Sequence, residues 1–223
     1  MSKENIELQQ ITLKFDGDVI GQLQEIGKGI LTNYIIKLGS DKKYLIPVWI
    51  EAYCYKKDCF EDEACDGARR KKGNSQYFGE NEEHWGKTFT NLHFSYCPKD
   101  IKSEFWKRGR VDIVPKHDKS FALSYLLKLA ILVEGNNKPE LKIQSEIAKL
   151  LTDYDANKCV KLLSVKNEEP TVDKTERVGL NKGDYVDKKL SFYRSDLVSP
   201  DYEKIVRNRK KGGIQQIGSK KVK

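Results

Sequence analysis

The residues with the clearest chemical potential lie in one stretch, Tyr44-Leu45-Ile46-Pro47-Val48-Trp49-Ile50-Glu51-Ala52-Tyr53, where a single carboxylate interrupts a β-forming apolar run. On an alternating strand Pro47, Trp49, Glu51 and Tyr53 share one face, and Ile46, Val48 and Ile50 share the other. A carboxylate buried between aromatic rings is a group suited to general-base work, activating a water for attack on a bound substrate. The same spacing also fits an exposed strand glutamate between two aromatics on a solvated face.

Other chemistry is less well supplied. Cys54, Cys59 and Cys65, with His84, His93 and Cys97, are enough ligands for a tetrahedral zinc site, but none of their spacings is the tight Cys-x2-4-Cys knuckle. Cys54 must also point away from the face that carries Tyr53. His93 and Cys97, four apart on a strand, would stand about 13 Å from each other, too far for a nucleophile and its base. No glycine-rich phosphate loop of the P-loop or dinucleotide type occurs. The expectation is a site without metal or cofactor.

The elements that must position Glu51 follow from local pattern. Alternation at Ile6-Leu8 and Ile11-Leu13-Phe15 suggests an opening strand that ends at the turn Asp16-Gly17-Asp18. Apolar residues at helical spacing (Ile20, Leu23, Ile26, Ile30, Leu31) predict a short helix over 19–31, leading into a strand at 33–38. The turn Gly39-Ser40-Asp41 then joins that strand to 44–55 as a hairpin. Pro47 cannot donate to a ladder and so argues for an edge or a bulge at that point.

Residues 56–88 are polar and lack periodicity, a length of irregular chain that is usually functional inside a domain. A further strand is expected at 88–96. Leu and Ile stripes at helical spacing predict two core helices, 121–133 and 141–154, joined by the turn at 135–139. A polar loop follows at 165–176, then two tighter segments at 177–180 and 190–194. Residues 206–223 read as a basic, mobile tail outside a single domain spanning 1–205.

Composition limits the class. The chain of 223 residues is 38% apolar and 33% charged, a globular balance. No apolar run reaches the about 18 residues that cross a bilayer, and the first twenty residues carry acids and no apolar core, so a secretory signal is not expected. The net charge of +8, from 41 Lys+Arg against 33 Asp+Glu, suits a polyanionic partner through counterion release. Five cysteines in such a chain point to reduced thiols and an intracellular setting.

The order of several short segments resembles the alkylpurine (3-methyladenine) DNA glycosylases. Leu31, Tyr34-Ile35-Ile36, Leu45-Ile46 and Ile50-Glu51-Ala52-Tyr53 are similar to that family's entry helix and strand pair, which ends in Ile/Val-x-Glu-Ala-Tyr. Asp62-Glu63-Ala64, then Arg69-Arg70, then Tyr77-Phe78-Gly79 follow in the order of its Asp-x-Ala segment, basic loop and Met-Phe-Gly-like turn. Arg177-Val178-Gly179-Leu180, Leu190-Ser191-Phe192-Tyr193 and Val198-Ser199 resemble its closing elements. The resemblance covers about half the chain.

It implies a single α+β domain with a curved, mostly antiparallel, roll-like sheet flanked by helices. It implies a monomer on double-stranded DNA that flips out a damaged purine and hydrolyses its N-glycosidic bond, without a membrane partner. Glu51 would be the catalytic carboxylate that positions water. Tyr53, Phe89, Asp66 and Trp49 would line the base slot, and Arg69, Arg70, Lys71 and Lys72 would hold the DNA backbone.

The chain also departs from the family. Asp66 stands where the family has a base-contacting His, Lys99 where it has an Asn, and the residues nearest the intercalating Tyr are Leu92 and His93. The family's Gly-Pro-Gly segment has no counterpart between 100 and 175. These differences keep a second expectation open: a noncatalytic nucleic-acid-binding protein on the same fold.

Overall fold

The computed structural model describes residues 12–39, 42–62, 64–65, 92–95, 110–115, 121–152, 160–165, 170–177, 184–185 and 187–198. These residues are mostly strands in one open antiparallel sheet, accompanied by few helices. The opening strand expected through Leu13 and Phe15 is not found over residues 12–15, which are irregular and lead into the turn; its residues 6–11, the strand residues 88–91 and 96, and the tail at 206–223 lie outside the described residues.

The first helix, α1 (Val19–Asn33), begins where the sequence predicts. Asp18 caps it, its carboxylate accepting from the Gly21 N–H at 2.8 Å and so satisfying one of the orphan donors of the first turn. Val19, Leu23, Gly27, Ile30 and Leu31 form its buried stripe. Gly27 is required by close approach: a Cβ there would stand 2.7 Å from the Phe192 ring. The helix stops because Tyr34 is extended and opens β1 (Tyr34–Leu38) directly. Gly39, with φ +64°, lets the chain turn back toward β2 (Lys43–Lys56).

Strand β2 is the spine of the sheet. The remaining strands are β3 (Phe60–Glu61), β4 (Leu92–Ser95), β5 (Arg110–Ile113), β6 (Ala122–Glu134), β7 (Glu140–Ile143), β8 (Val160–Ser164), β9 (Val172–Thr175) and β10 (Ser191–Arg194). One edge of β2 pairs with β6 along nearly its whole length, from Lys43↔Glu134 to Tyr55↔Ala122. The other edge is shared end to end: β1 holds Tyr44 and Leu45, β10 holds Trp49 to Glu51, and β3 holds Tyr55 and Lys56. Pro47, which has no N–H to give, falls in the gap where that partner changes from β1 to β10. The strand is therefore central, and of the two options its proline left open, the bulge is the one found: the register with β6 shifts between Pro47 and Trp49 and again between Trp49 and Ile50.

The helix expected over 121–133 is a correction. The segment is β6, paired with β2 on one edge and with β5 and β7 on the other, and its Leu- and Ile-rich run is buried on both faces because one face packs into the main core and the other into the smaller clusters. A continuous apolar run of this kind fits a buried helix or a central strand equally well, and here long-range pairing overrides leucine's helical propensity. The helix expected over 141–154 is half right: Glu140–Ile143 pair with β6 as β7, Gln144–Thr152 form a helix, α2, and residues 153–154 lie outside the described residues. The loop at 165–176 contains the short β9, which pairs with β10.

The sheet has two differently furnished faces. On the first, α1 and α2 cover Leu45, Ile50, Ala52 and Cys54 of β2, Leu123, Tyr125 and Leu127 of β6, and Phe192 of β10, forming the main core. The Tyr125 hydroxyl donates to the Leu23 carbonyl at 2.9 Å, tying β6 to α1. The second face carries two smaller clusters. One gathers Val48, Trp49, Leu129, Tyr193 and Val198; the other gathers Tyr55, Cys65 and Ala122, with Tyr53 against it. The bulge sends Val48 and Trp49 to this same face, so Val48 does not share the face of Ile50 as strict alternation predicts.

Candidate functional site

Glu51 lies on the second face between those two apolar clusters and is 0% exposed. The expectation of a solvated strand glutamate is thereby excluded. Its placement follows from register: Glu51 pairs with Ser191 of β10 on one side and Leu126 of β6 on the other, so it stands on an interior strand of the sheet. A charge in such surroundings needs partners.

A phenol and an ammonium reach it. The Tyr53 hydroxyl, two positions along the same strand face, donates to Glu51 Oε2 at 2.9 Å. The Lys128 ammonium approaches the same oxygen from β6 at 3.4 Å. Lys128 occupies the position skipped in the register between Trp49↔Leu129 and Ile50↔Leu127, so the bulge that disturbs β2 also sets this cation beside the carboxylate. Its side chain is 22% exposed, so the pair runs from the interior to solvent.

Tyr53 is fixed from its other side by Arg177. The guanidinium carbon is 5.0 Å from the centroid of the Tyr53 ring, within cation–π range. Arg177 Nη1 donates to Asp62 Oδ2 at 2.5 Å and to the Ala52 carbonyl at 3.1 Å, while Nη2 donates to Asp62 Oδ1 at 3.1 Å and to the Tyr185 carbonyl at 3.2 Å. This bidentate pair is almost wholly buried. Asp62 and Arg177 belong to two of the colinear segments that resemble the glycosylases, and the fold brings them together.

The other predicted residues fall differently. Trp49 is 1% exposed, its ring stacked on Tyr193 at a centroid distance of 4.9 Å and its Nε1 donating to Ser191 Oγ at 2.7 Å. Both its ring and its donor are engaged within the protein. Asp66, Arg69, Arg70, Lys71, Lys72 and Phe89 lie outside the described residues. So do Lys99 and two members of the zinc set, His84 and Cys97. Cys54 is buried in the main core, Cys65 is buried on the second face and Cys59 is exposed. Burial pushes the Cys54 thiol well up, and the Asp62 carboxylate adds to that. No group of three metal-ligating side chains occurs among the described residues, and no described helix is long and apolar enough to cross a membrane.

Three contributors to the site were missed by sequence reasoning. Lys128 was hidden because its segment reads as a helix, where it would be an ordinary exposed lysine. Asp62 and Arg177 were seen as motif positions without a role. A lone cation in an otherwise apolar run was the available signal for Lys128, the mirror image of Glu51 in β2.

The assembled chemistry is a buried carboxylate held by a phenol and an ammonium, beside an aromatic ring pinned by a guanidinium. A carboxylate can accept a proton from, or orient, a water that reaches it. It can also stabilise positive charge developing on a substrate. The ring offers a stacking surface for a flat heterocycle. Compared with known families and curated proteins, the chain matches no family model and no curated sequence. The functional reading therefore rests on this geometry and on the motif resemblance.

Proposed function

We propose that the chain is a DNA glycosylase-like hydrolase that takes a damaged purine out of duplex DNA and hydrolyses its N-glycosidic bond. The observation that carries the reading is the arrangement of Glu51, Tyr53 and Lys128 on one sheet face. Glu51 supplies the carboxylate that orients water and faces the oxocarbenium character growing at the sugar. Lys128 balances the carboxylate's charge, and the Tyr53 ring stacks on the extruded base. Extrusion costs a few kcal/mol of lost stacking, and stacking on a protein ring returns about 1–3 kcal/mol per base. The strands and the two helices among the described residues are read as one roll-like domain, acting as an intracellular monomer. Its +8 charge draws it to the DNA backbone, with Arg69, Arg70, Lys71 and Lys72 as the proposed phosphate contacts and Asp66 and Phe89 as further walls of the base slot.

One observation favours a second reading. The complete burial of Glu51 and its ion pair with Lys128 are also what a strand-clamping pair in a noncatalytic nucleic-acid-binding protein would show. A single assay separates the two. Duplexes holding hypoxanthine, ethenoadenine or 3-methyladenine are incubated with the protein and then treated with alkali. Strand breaks at the lesion that vanish with Glu51→Gln support the hydrolase. Lesion-independent binding without breaks supports the binding module.

A further inference from the structure

We infer that Arg177 is a positioning residue whose guanidinium sets the Tyr53 ring so that the Tyr53 hydroxyl meets Glu51; the inference rests on the reading of Tyr53 as the base-stacking wall. Its basis is where the contacts of Arg177 fall. Nη1 takes the carbonyl of Ala52, the residue between Glu51 and Tyr53. The guanidinium lies over the Tyr53 ring. Asp62, just beyond the end of β3, holds both terminal nitrogens, and the Tyr185 carbonyl takes a second bond from Nη2.

The location matters as much as the contacts. On the outer edge of β2 the β10 ladder ends at Glu51, with one more bond from the Ala52 N–H to the Leu190 carbonyl at 2.8 Å, and β3 pairing begins at Tyr55. Tyr53 sits in the seam between the two. At that seam Arg177 replaces a neighbouring strand: it supplies the donor that a ladder would have given to Ala52. A lysine carries the same charge but one nitrogen. It cannot satisfy two Asp62 oxygens, two carbonyls and a ring face in a fixed plane.

One polar run results, from Asp62 through Arg177 and Tyr53 to Glu51 and Lys128. It joins β3, the 177 segment, β2 and β6. Arg177 Nε is buried and has no hydrogen-bond partner among the described residues.

The test reads the Tyr53–Glu51 bond directly. The full-length protein carries 3-fluorotyrosine at position 53, and its 19F resonance is followed when Glu51→Gln changes the acceptor. This is done in the native background, in Arg177→Lys, and in the neutral pair Asp62→Asn with Arg177→Met, which avoids leaving an unpaired buried charge. The inference expects Glu51→Gln to move the resonance in the native background and to leave it unmoved in both Arg177 backgrounds. It also expects single-turnover base release, per folded protein, to fall on the order of 10- to 100-fold in Arg177→Lys. An equal Glu51→Gln shift in all three backgrounds overturns it, because Tyr53 would then meet Glu51 without Arg177. If the resonances behave as expected and the native protein releases no base from any lesion duplex, the positioning role stands and the glycosylase reading falls.

Discussion

Lys128 and Glu51 meet across the β2–β6 pair at 3.4 Å, where both strands are irregular in register. The pair is unequal: the carboxylate is fully enclosed and the ammonium reaches toward solvent. Removing the lysine therefore strands a buried charge, whereas removing the glutamate leaves a cation that water can reach.

That asymmetry gives the first expectation. Lys128→Met should destabilise the protein by roughly 3 kcal/mol, toward the low end for breaking a buried pair because one partner is partly hydrated. Glu51→Gln should cost less, and the double variant should recover part of the Lys128→Met loss. Urea denaturation of the four proteins closes the cycle. Additive losses would show that the two side chains do not interact.

Catalysis separates the same residues. Glu51→Gln should lower base release by on the order of 10²–10⁴-fold with duplex affinity nearly intact. Lys128→Arg should retain activity. Native-like rates from Glu51→Gln would remove the carboxylate from the mechanism.

Tyr53 offers two distinct substitutions. Tyr53→Phe keeps the ring and loses the hydroxyl that donates to Glu51, so lesion binding should hold while turnover falls. Tyr53→Ala removes the stacking surface and should weaken lesion binding by about 1–3 kcal/mol. Equal affinities of the Ala and native proteins for an ethenoadenine duplex, measured by fluorescence anisotropy, would rule out stacking on this ring.

Gly27 tests the support behind the site. Its missing Cβ lets α1 lie against Phe192 of β10, the strand that pairs with Glu51. Gly27→Ala should cost about 1–3 kcal/mol through overpacking, and Phe192→Leu should relieve part of that loss. Thermal unfolding of the single and double variants measures both.

The Cys54 thiol gives a pH expectation. Burial, followed by the Asp62 charge, raises it in the folded chain above its ordinary value of 9.0. Below pH 9.0 both states keep the proton and the contribution is complete. Above that the unfolded chain loses its proton while the folded one retains it, so stability declines as pH rises. Cys54→Ala should flatten the alkaline fall in urea midpoint between about pH 9 and 10.5. At pH 8, iodoacetamide should modify exposed Cys59 well before Cys54, as read by peptide mass mapping.

How much of this was legible in the residues depends on the range of the forces involved. Helix α1 and strands β1 and β2 were readable because their signals are local: an Asp cap, a 3.6-residue stripe and a β-branched, aromatic run. Glu51 was readable as a candidate because a carboxylate in an apolar strand stands out in any fold, and its neighbour Tyr53 because alternation carries it to the same face. The strand at 122–134 was not readable, since a run buried on both faces has no period and only its pairing with β2 decides between strand and helix. That misreading concealed Lys128. Trp49 was placed on the right face, but stacking on Tyr193, distant in sequence, encloses it. Arg177 and Asp62 stood out as motif residues, yet a bond between positions so far apart is set by chain closure. The sequence by itself determined which chemical groups were available and which strand would carry them. The tertiary structure alone decided their partners, because a buried charge takes whichever counter-charge the fold brings within reach.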